Sequence, residues 1–337
     1  MKTREGDLIE SLDGLIFDVK GFVHPPRRIV AFIRYFPDEK GNRRRNGAAY
    51  GKVYSLAERY ALLKARFPQY LVYDSVFDET LCEVPVEDAK KRYDPVERLE
   101  EIRSSKSLDL LETKTLKLAE LLKKRANIPW SALGVSGSIL TRLHTLNSDI
   151  DPIVYGVENC RKAHSTLQSL LKEKHSPFKQ YMREDLKALF DFRSKDTEVD
   201  FEDFVRTESR KALQGKFMGT DYFVRFVKDW NEIDENYGDV QYKNVGYAKA
   251  RATIVDDSEA IFTPCKYSVE KSIVIEGSNQ PIMEIVSFRG RFCEHARNGE
   301  TVVAQGKLES VTDLKRDSTH FRLLIGNKPS DFMVIKR

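Results

Sequence analysis

An α+β fold built from three successive modules is what this sequence predicts, and three textures along the chain predict it. Residues 1–92 mix alternating apolar–polar runs with a single amphipathic helix. Residues 93–244 hold the long apolar stripes of helices, interleaved with short strand-like runs, the pattern of an α/β domain on a mixed sheet. Residues 245–337 are strand after strand, broken by Gly, Asn and Asp turns, which reads as an all-β module and a possible small barrel. A length of 337 residues suits two or three domains, and 41% hydrophobic residues supply their cores.

Taken in order, "GLIFDVKGFV" and "RRIVAFIRYF" are two strands joined through "HPPR". The stretch "PDEKGNRRRNGAAYGK" reads as a loop, with Arg43, Arg44 and Arg45 between glycines. "SLAERYALLKARF" is a helix: Ser55 and Glu58 have capping-box spacing, and Leu56, Tyr60, Leu63 and Phe67 share a face. "QYLVYD" is a further strand. The charged run "AKKRYDPVERLEEIRSSKS" carries the linker to the next module. A helix spans 108–125, with Leu111, Leu118 and Leu122 on its buried stripe, and Pro129 ends it by forcing Ile128 out of helical geometry. "WSALGV" is a short strand, residues 139–144 a short helix and "SDIDPIVYG" the next strand. "ENCRKAHSTLQSLLKEK" and "REDLKALF" are helices, and "DFRS" and "TEVDFEDFV" read as two strands around a Lys195–Asp196 turn.

Charge and cysteine usage exclude several classes. The net charge is +4, divided as +3, −1 and +2 over the three modules, so the flanks are mildly basic and compatible with nucleic-acid contacts. Neither a secretory leader nor an apolar run of membrane-spanning length is visible. Cys82, Cys160, Cys265 and Cys293 are scattered without a CxxC pair and read as free thiols of a cytoplasmic protein.

The chemistry concentrates in "LGVSGSILTRLHTLNSDIDPIVYG". Side chains alternate along a strand, so Asp149 and Asp151 share a face, with Ile150 on the other. Two carboxylates so close repel, and one tends to take up a proton unless a cation joins them. Hard divalent cations prefer such oxygens. Upstream, Gly137 and Ser138 make a tight turn into a helix, where backbone N–H groups can receive phosphate. A phosphate cradle ten residues before a metal-binding pair makes a triphosphate–metal site. The competing reading is an ordinary turn, since Asn, Ser, Asp and Pro are turn formers.

This spacing resembles the nucleotidyltransferase superfamily typified by DNA polymerase beta: a Gly-Ser turn, then Asp-hydrophobic-Asp, and a third carboxylate on a later strand. The likeness covers 107–206. The flanks look like those of uncharacterised archaeal predicted nucleotidyltransferases. The resemblance implies two Mg²⁺ ions, Mn²⁺ being a substitute, with Asp149 and Asp151 bridging them. Asp200, in "TEVDFEDF", fits as the third carboxylate, on the metal that activates the acceptor hydroxyl. Gly137 and Ser138 would hold the β and γ phosphates of an NTP, ATP first among them. Two positions depart from the pattern. The family's arginine four places after the glycine is Thr141 here, with Arg142 one place later as the candidate nucleotide-binding cation. Pro152 follows the second aspartate and removes one ladder donor, while holding Asp151 extended.

The expected activity is transfer of a nucleoside monophosphate to a hydroxyl. RNA is the first acceptor, reached through the flanking modules by Arg43–Arg45, Arg289 and Arg291. A protein or small-molecule acceptor, or a non-catalytic nucleic-acid-binding protein on the same scaffold, are the alternatives. His144 and His164 read as ordinary helix residues, Cys160 as a small core residue, and Tyr222, Phe223 and Phe226 as core rather than base-stacking groups. Oligomeric state is not legible.

Overall fold

The structure is a computed structural model and describes residues 1–336. Its N-terminal module is a twisted sheet of eight strands: β1 (Leu8–Ser11), β2 (Ile16–Val19), β3 (Arg28–Pro37), β4 (Arg43–Arg45), β5 (Ala48–Lys52), β6 (Leu71–Asp74), β7 (Glu79–Pro85) and β8 (Ala89–Tyr93). The main path runs β4-β5-β3-β2-β1-β8, with β7 pairing both β3 and β6. Helix α1 (Leu56–Arg66) starts on the expected capping box, Ser55 with Glu58, and seats Leu63 in a core with Phe17, Ile33 and Cys82.

The expected loop around the three arginines is instead the hairpin β4–β5. Asn46 and Gly47 turn it, both with positive φ (50° and 81°), which is the two-residue turn that suits strand twist. The expected linker is likewise ordered. Its first part is β8, and Asp94 caps α2 (Pro95–Ser104), whose first residue is a proline that has no N–H to leave unpaired.

The middle module continues with α3 (Leu110–Ala126), β9 (Leu133–Val135), α4 (Gly137–Leu140), β10 (Pro152–Tyr155), α5 (Val157–Lys172), β11 (Phe178–Lys179), α6 (Arg183–Arg193), α7 (Phe201–Glu208), β12 (Gln214–Phe217), β13 (Thr220–Phe223) and β14 (Arg225–Val227). Its central sheet is mixed: β10 lies between β9, antiparallel, and β14, parallel. All four β10 residues are buried, as expected of a strand covered on both faces. A second small sheet runs β11-β12-β13.

Two strands expected between 191 and 206 are helices. "DFR" completes α6, and "FEDFVRTE" is α7, with Phe201 and Phe204 one turn apart and Phe190 packed edge-on against both. The run V-D-F-E-D-F satisfies a period of two and a spacing of three equally. Asp200 as N-cap, accepting from the Glu202 N–H, decides for the helix.

The C-terminal module comprises β15 (Val240–Asp256), β16 (Cys265–Gly277), β17 (Ile282–Ser287), β18 (Thr301–Asp313), β19 (Ser318–Leu324) and β20 (Phe332–Ile335). Their order is β15-β16-β17-β19-β18-β20, and β15 also pairs with β18, which closes five strands into a barrel with β20 beside it. The boundary read between 244 and 245 falls inside β15, a single continuous strand. The middle and C-terminal modules also share one apolar core, which runs from Leu118 and Val154 through Phe226 and Phe262 to Leu323.

Candidate functional site

Asp149 and Asp151 flank Ile150, whose side chain is fully buried. Ile150 is tied on its own level to the neighbouring strand: its N–H donates to the Asp221 carbonyl (2.9 Å) and its carbonyl accepts from Phe223 N–H (3.0 Å). The two carboxylates therefore share the opposite face, Asp149 exposed and Asp151 half-buried. Across the sheet, Ser136 N–H donates to the Asp151 carbonyl (2.8 Å), which brings the Gly-Ser turn against the pair. Gly137 has φ +63°, and a Cβ there would lie 1.9 Å from Asp151 Oδ2. Only glycine permits both that backbone and that approach. Ser138 is buried, and its hydroxyl has no hydrogen-bond partner among the described residues. The helix beyond it, α4, is a single turn of four residues, so the longer helix expected over 139–144, with its aligned N-terminal dipoles, is not formed. The Ser138 hydroxyl is one donor available at this turn.

The N-terminal module builds the other side of the site. Arg43 on β4 is buried and donates to the Leu143 carbonyl (2.6 Å) and Ser148 Oγ (3.5 Å), fixing the loop that delivers Asp149. Arg34 on β3 and Lys52 on β5 stand near enough to Asp149 and Asp151 for the charges to act on one another. Among the described residues, however, no cation reaches ion-pair distance of either carboxylate. Burial pushes Asp151 up to about 7, Asp149's charge adds to that, and Arg225, Arg34 and Lys52 oppose it. Arg225 itself is committed to Glu5 (2.9 Å) and Asp18 (3.6 Å). Burial raises Asp18 too, but Lys20, Arg225 and Arg34 outweigh it and hold this carboxyl below its ordinary range.

Other residues singled out from the sequence lie elsewhere. Asp200 is the exposed N-cap of α7, not a strand residue, and no hydrogen bond joins it to the pair. Arg142 is exposed, has φ +57° and pairs with Glu101 on α2 (3.0 Å). Of the three loop arginines only Arg44 is exposed. Arg43 is used as above, and Arg45 binds Glu10 (2.9 Å) and Tyr50 (3.0 Å). Arg289 and Arg291 both reach Asp196 (2.9 and 3.1 Å). All four cysteines are free and buried. Tyr222 and Phe226 are core, as expected.

The carboxylate brought beside Asp149 is Asp221 on β13, in the parallel strand next to Ile150; burial raises it, Lys216 (3.8 Å) and Tyr181 oppose this, and the charge of Asp149 adds to the rise. "TDYFVRFV" alternates like any strand, and nothing local marks Asp221 out. Only pairing with the Asp149 strand does so. A different acidic group, Asp109, Glu112 and His144, also clusters. Asp109 and Glu112 form the capping box of α3, and Arg98 already holds Glu112, so local structure accounts for it. A cavity of about 840 Å³, lined by Thr3, His24, Arg28 and Trp230, takes in none of the residues around the pair.

The chain is similar to the Uncharacterized protein MJ1086 of Methanocaldococcus jannaschii, 34% identical over 349 residues and 100% of each chain. It belongs to the same family as that archaeal protein. No family model matches the chain, and no solved structure matches it. No helix among the described residues is long and apolar enough to cross a membrane.

Proposed function

We propose that this protein is a Mg²⁺-dependent nucleotidyltransferase of the DNA polymerase beta type, moving a nucleoside monophosphate from an NTP, ATP first, to a hydroxyl of RNA. One observation carries the reading: Gly137 closes to within a Cβ's reach of Asp151 while the neighbouring Ser138 hydroxyl is buried and unpartnered. A buried hydroxyl without a partner costs stability, and a phosphate oxygen from an incoming triphosphate would satisfy it.

The fit of a metal rests on the donor set. Asp149 and Asp151 have no ion-pair partner among the described residues and repel, and Asp151 is raised to about 7, so a divalent cation between them would relieve the repulsion. Mg²⁺, or Mn²⁺, held there would acidify the acceptor hydroxyl and take up charge on the departing pyrophosphate. Asp221's place beside Asp149 supports it, in preference to Asp200, as the third carboxylate. Arg43 keeps the Asp149 loop in register, and the Gly137 turn orients Asp151. Five-stranded barrels include folds that bind oligonucleotides across their strand faces, and this fold-level analogy favours RNA over a protein or small-molecule acceptor.

Incubation with each labelled NTP, Mg²⁺ and total RNA or total protein tests the reading. Label should pass to RNA. Asp149→Asn, Asp151→Asn and Asp221→Asn should each lower turnover on the order of a hundredfold or more, and Asp200→Asn should not. Transfer that survives Asp149→Asn and Asp151→Asn, or none in the wild type with any NTP, rejects it.

A further inference from the structure

Three cations of the N-terminal module stand close to one another on the side of the acid pair: Arg34 and Lys52 act on Asp149 and Asp151, and Arg59 stands beside Arg34. Arg34 comes from β3, Lys52 from β5 and Arg59 from α1. Among the described residues none of the three has an ion pair and none of their side chains makes a hydrogen bond to the protein; Lys52 Nζ lies over the Tyr54 ring, 4.6 Å from its centroid. Arg59 is only 8% exposed, and its Nε is buried without a partner. Arg34 acts on both Lys52 and Arg59, and Arg289 of the barrel acts on Arg59 and is acted on by Arg34. The neighbouring anions do not discharge this group. Asp196 is taken by Arg289 and Arg291 and Asp18 by Lys20 and Arg225, and among the described residues neither Asp149 nor Asp151 is within ion-pair reach of the three.

Like charges held together in a half-buried wall destabilise the protein that carries them. The cost is visible in Lys52, pushed down to about 8 by burial and by Arg34, and in Arg59, pushed down to about 9 by the same two causes. An arrangement of this kind is relieved by an anion with several oxygens, and guanidinium donors match phosphate geometry. Arg34 and Lys52, whose charges act on both carboxylates, are where such an anion would meet the acid pair.

We propose that Arg34, Lys52 and Arg59 form an oxyanion site in the N-terminal module for a phosphate of the molecule on which Asp149 and Asp151 act. That the phosphate belongs to a nucleotidyl-transfer substrate rests on the function proposed above, whereas the site itself rests on the three unpaired cations. Two sources share this chemistry: the polyphosphate tail of an NTP, and a backbone phosphate of a single-stranded RNA acceptor.

Metal-free binding of inorganic tripolyphosphate, followed by calorimetry and by thermal melting, tests the site without any turnover. The wild type should bind and melt higher with ligand. Arg59→Met keeps the apolar stem and removes the charge. It should melt no lower than wild type without ligand, and its affinity should fall roughly tenfold. Lys52→Met should weaken binding in the same direction and serves if Arg59→Met does not fold. Binding of Mg²⁺–ATP and of an oligo(A) RNA to the same variants then separates the sources. A loss confined to ATP assigns the triphosphate tail. A loss confined to oligo(A), with a salt slope reduced by about one unit, assigns the acceptor.

Equal tripolyphosphate affinity in wild type, Arg59→Met and Lys52→Met overturns the proposal, as does no binding in the wild type. Asp149→Asn should keep tripolyphosphate binding. If the phosphate site behaves as expected while no nucleotide is transferred, the catalytic reading fails and the oxyanion site stands.

Discussion

At position 137 the backbone is left-handed and the space a side chain would fill is already held by the Asp151 carboxylate. Gly137→Ala should therefore cost about 1–2 kcal/mol from the backbone alone. It should also displace the Asp151 side chain, lowering turnover on the order of a hundredfold, since misplacement of about 1 Å is worth that much. Melting and turnover measured on the same preparation check this, and a variant as active as wild type would remove the turn from the site. Asp149 poses a balance instead. Replacing it with Asn relieves repulsion on Asp151 but also removes an anion facing Arg34 and Lys52. The melting temperature of Asp149→Asn in EDTA should accordingly change little, while the stabilisation of wild type by Mg²⁺ with NTP should vanish. Unfolding of Asp149→Asn at room temperature would mean that the pair is structural.

At the scale of elements, the β4–β5 hairpin does what a flexible basic loop could not. Its turn at Asn46–Gly47 fixes the register that carries Arg43 into contact with Leu143 and Ser148. Arg43→Met leaves a buried carbonyl unpaired and should destabilise the protein by about 1–3 kcal/mol. Amide exchange over 143–148 should quicken and turnover should fall. The salt dependence of RNA binding should not change, because Arg43 faces inward. A flatter salt slope in this variant would instead return Arg43 to the RNA-binding surface expected from the sequence.

Across the whole molecule, the middle and C-terminal modules are joined by a buried charged knot. Glu208, at the end of α7, accepts from Lys211 (2.6 Å), Arg193 (2.7 Å) and Gln214 (2.6 Å), and Lys211 also donates to the Arg291 carbonyl beside the barrel. Burial raises the Glu208 carboxyl, but Lys211 and Arg193 outweigh it and hold it at about 2, against an ordinary 4.5. A group depressed in the folded state leaves the unfolded chain to bind the proton first. Its stabilisation is thus complete above about pH 5 and is lost as pH falls toward 2. Burial pulls Lys211 down in spite of the pair, which offsets part of the gain, so the loss is on the order of a few kcal/mol at most. Denaturant melts from pH 6 to pH 3 should show stability falling, with a shallower fall in a Glu208→Gln variant that still folds. An unchanged slope in that variant would place the acid sensitivity elsewhere.

What the sequence by itself determined is local. The Ser55–Glu58 capping box, the Gly137–Ser138 turn, the Asp149 and Asp151 alternation and the three textures of strand and helix are each written within a few residues, and short-range geometry reads them directly. Asn46–Gly47 was as local and could have been read the same way, since that dipeptide favours a two-residue hairpin turn. What only the tertiary structure decided is which distant charges meet. Asp221 and Asp200 are both aspartates that directly precede an aromatic residue, Tyr222 and Phe201. One stands beside Asp149 because its strand pairs in parallel there, and the other caps a helix. Arg34, Lys52 and Arg59 gave no signal, since their periodicity is that of any exposed strand or helix face. They became a cation wall when the N-terminal sheet docked on the middle module. Helix and turn chemistry acts between neighbours in sequence, whereas electrostatic partnership acts through space, and a strand's own residues do not name its partner.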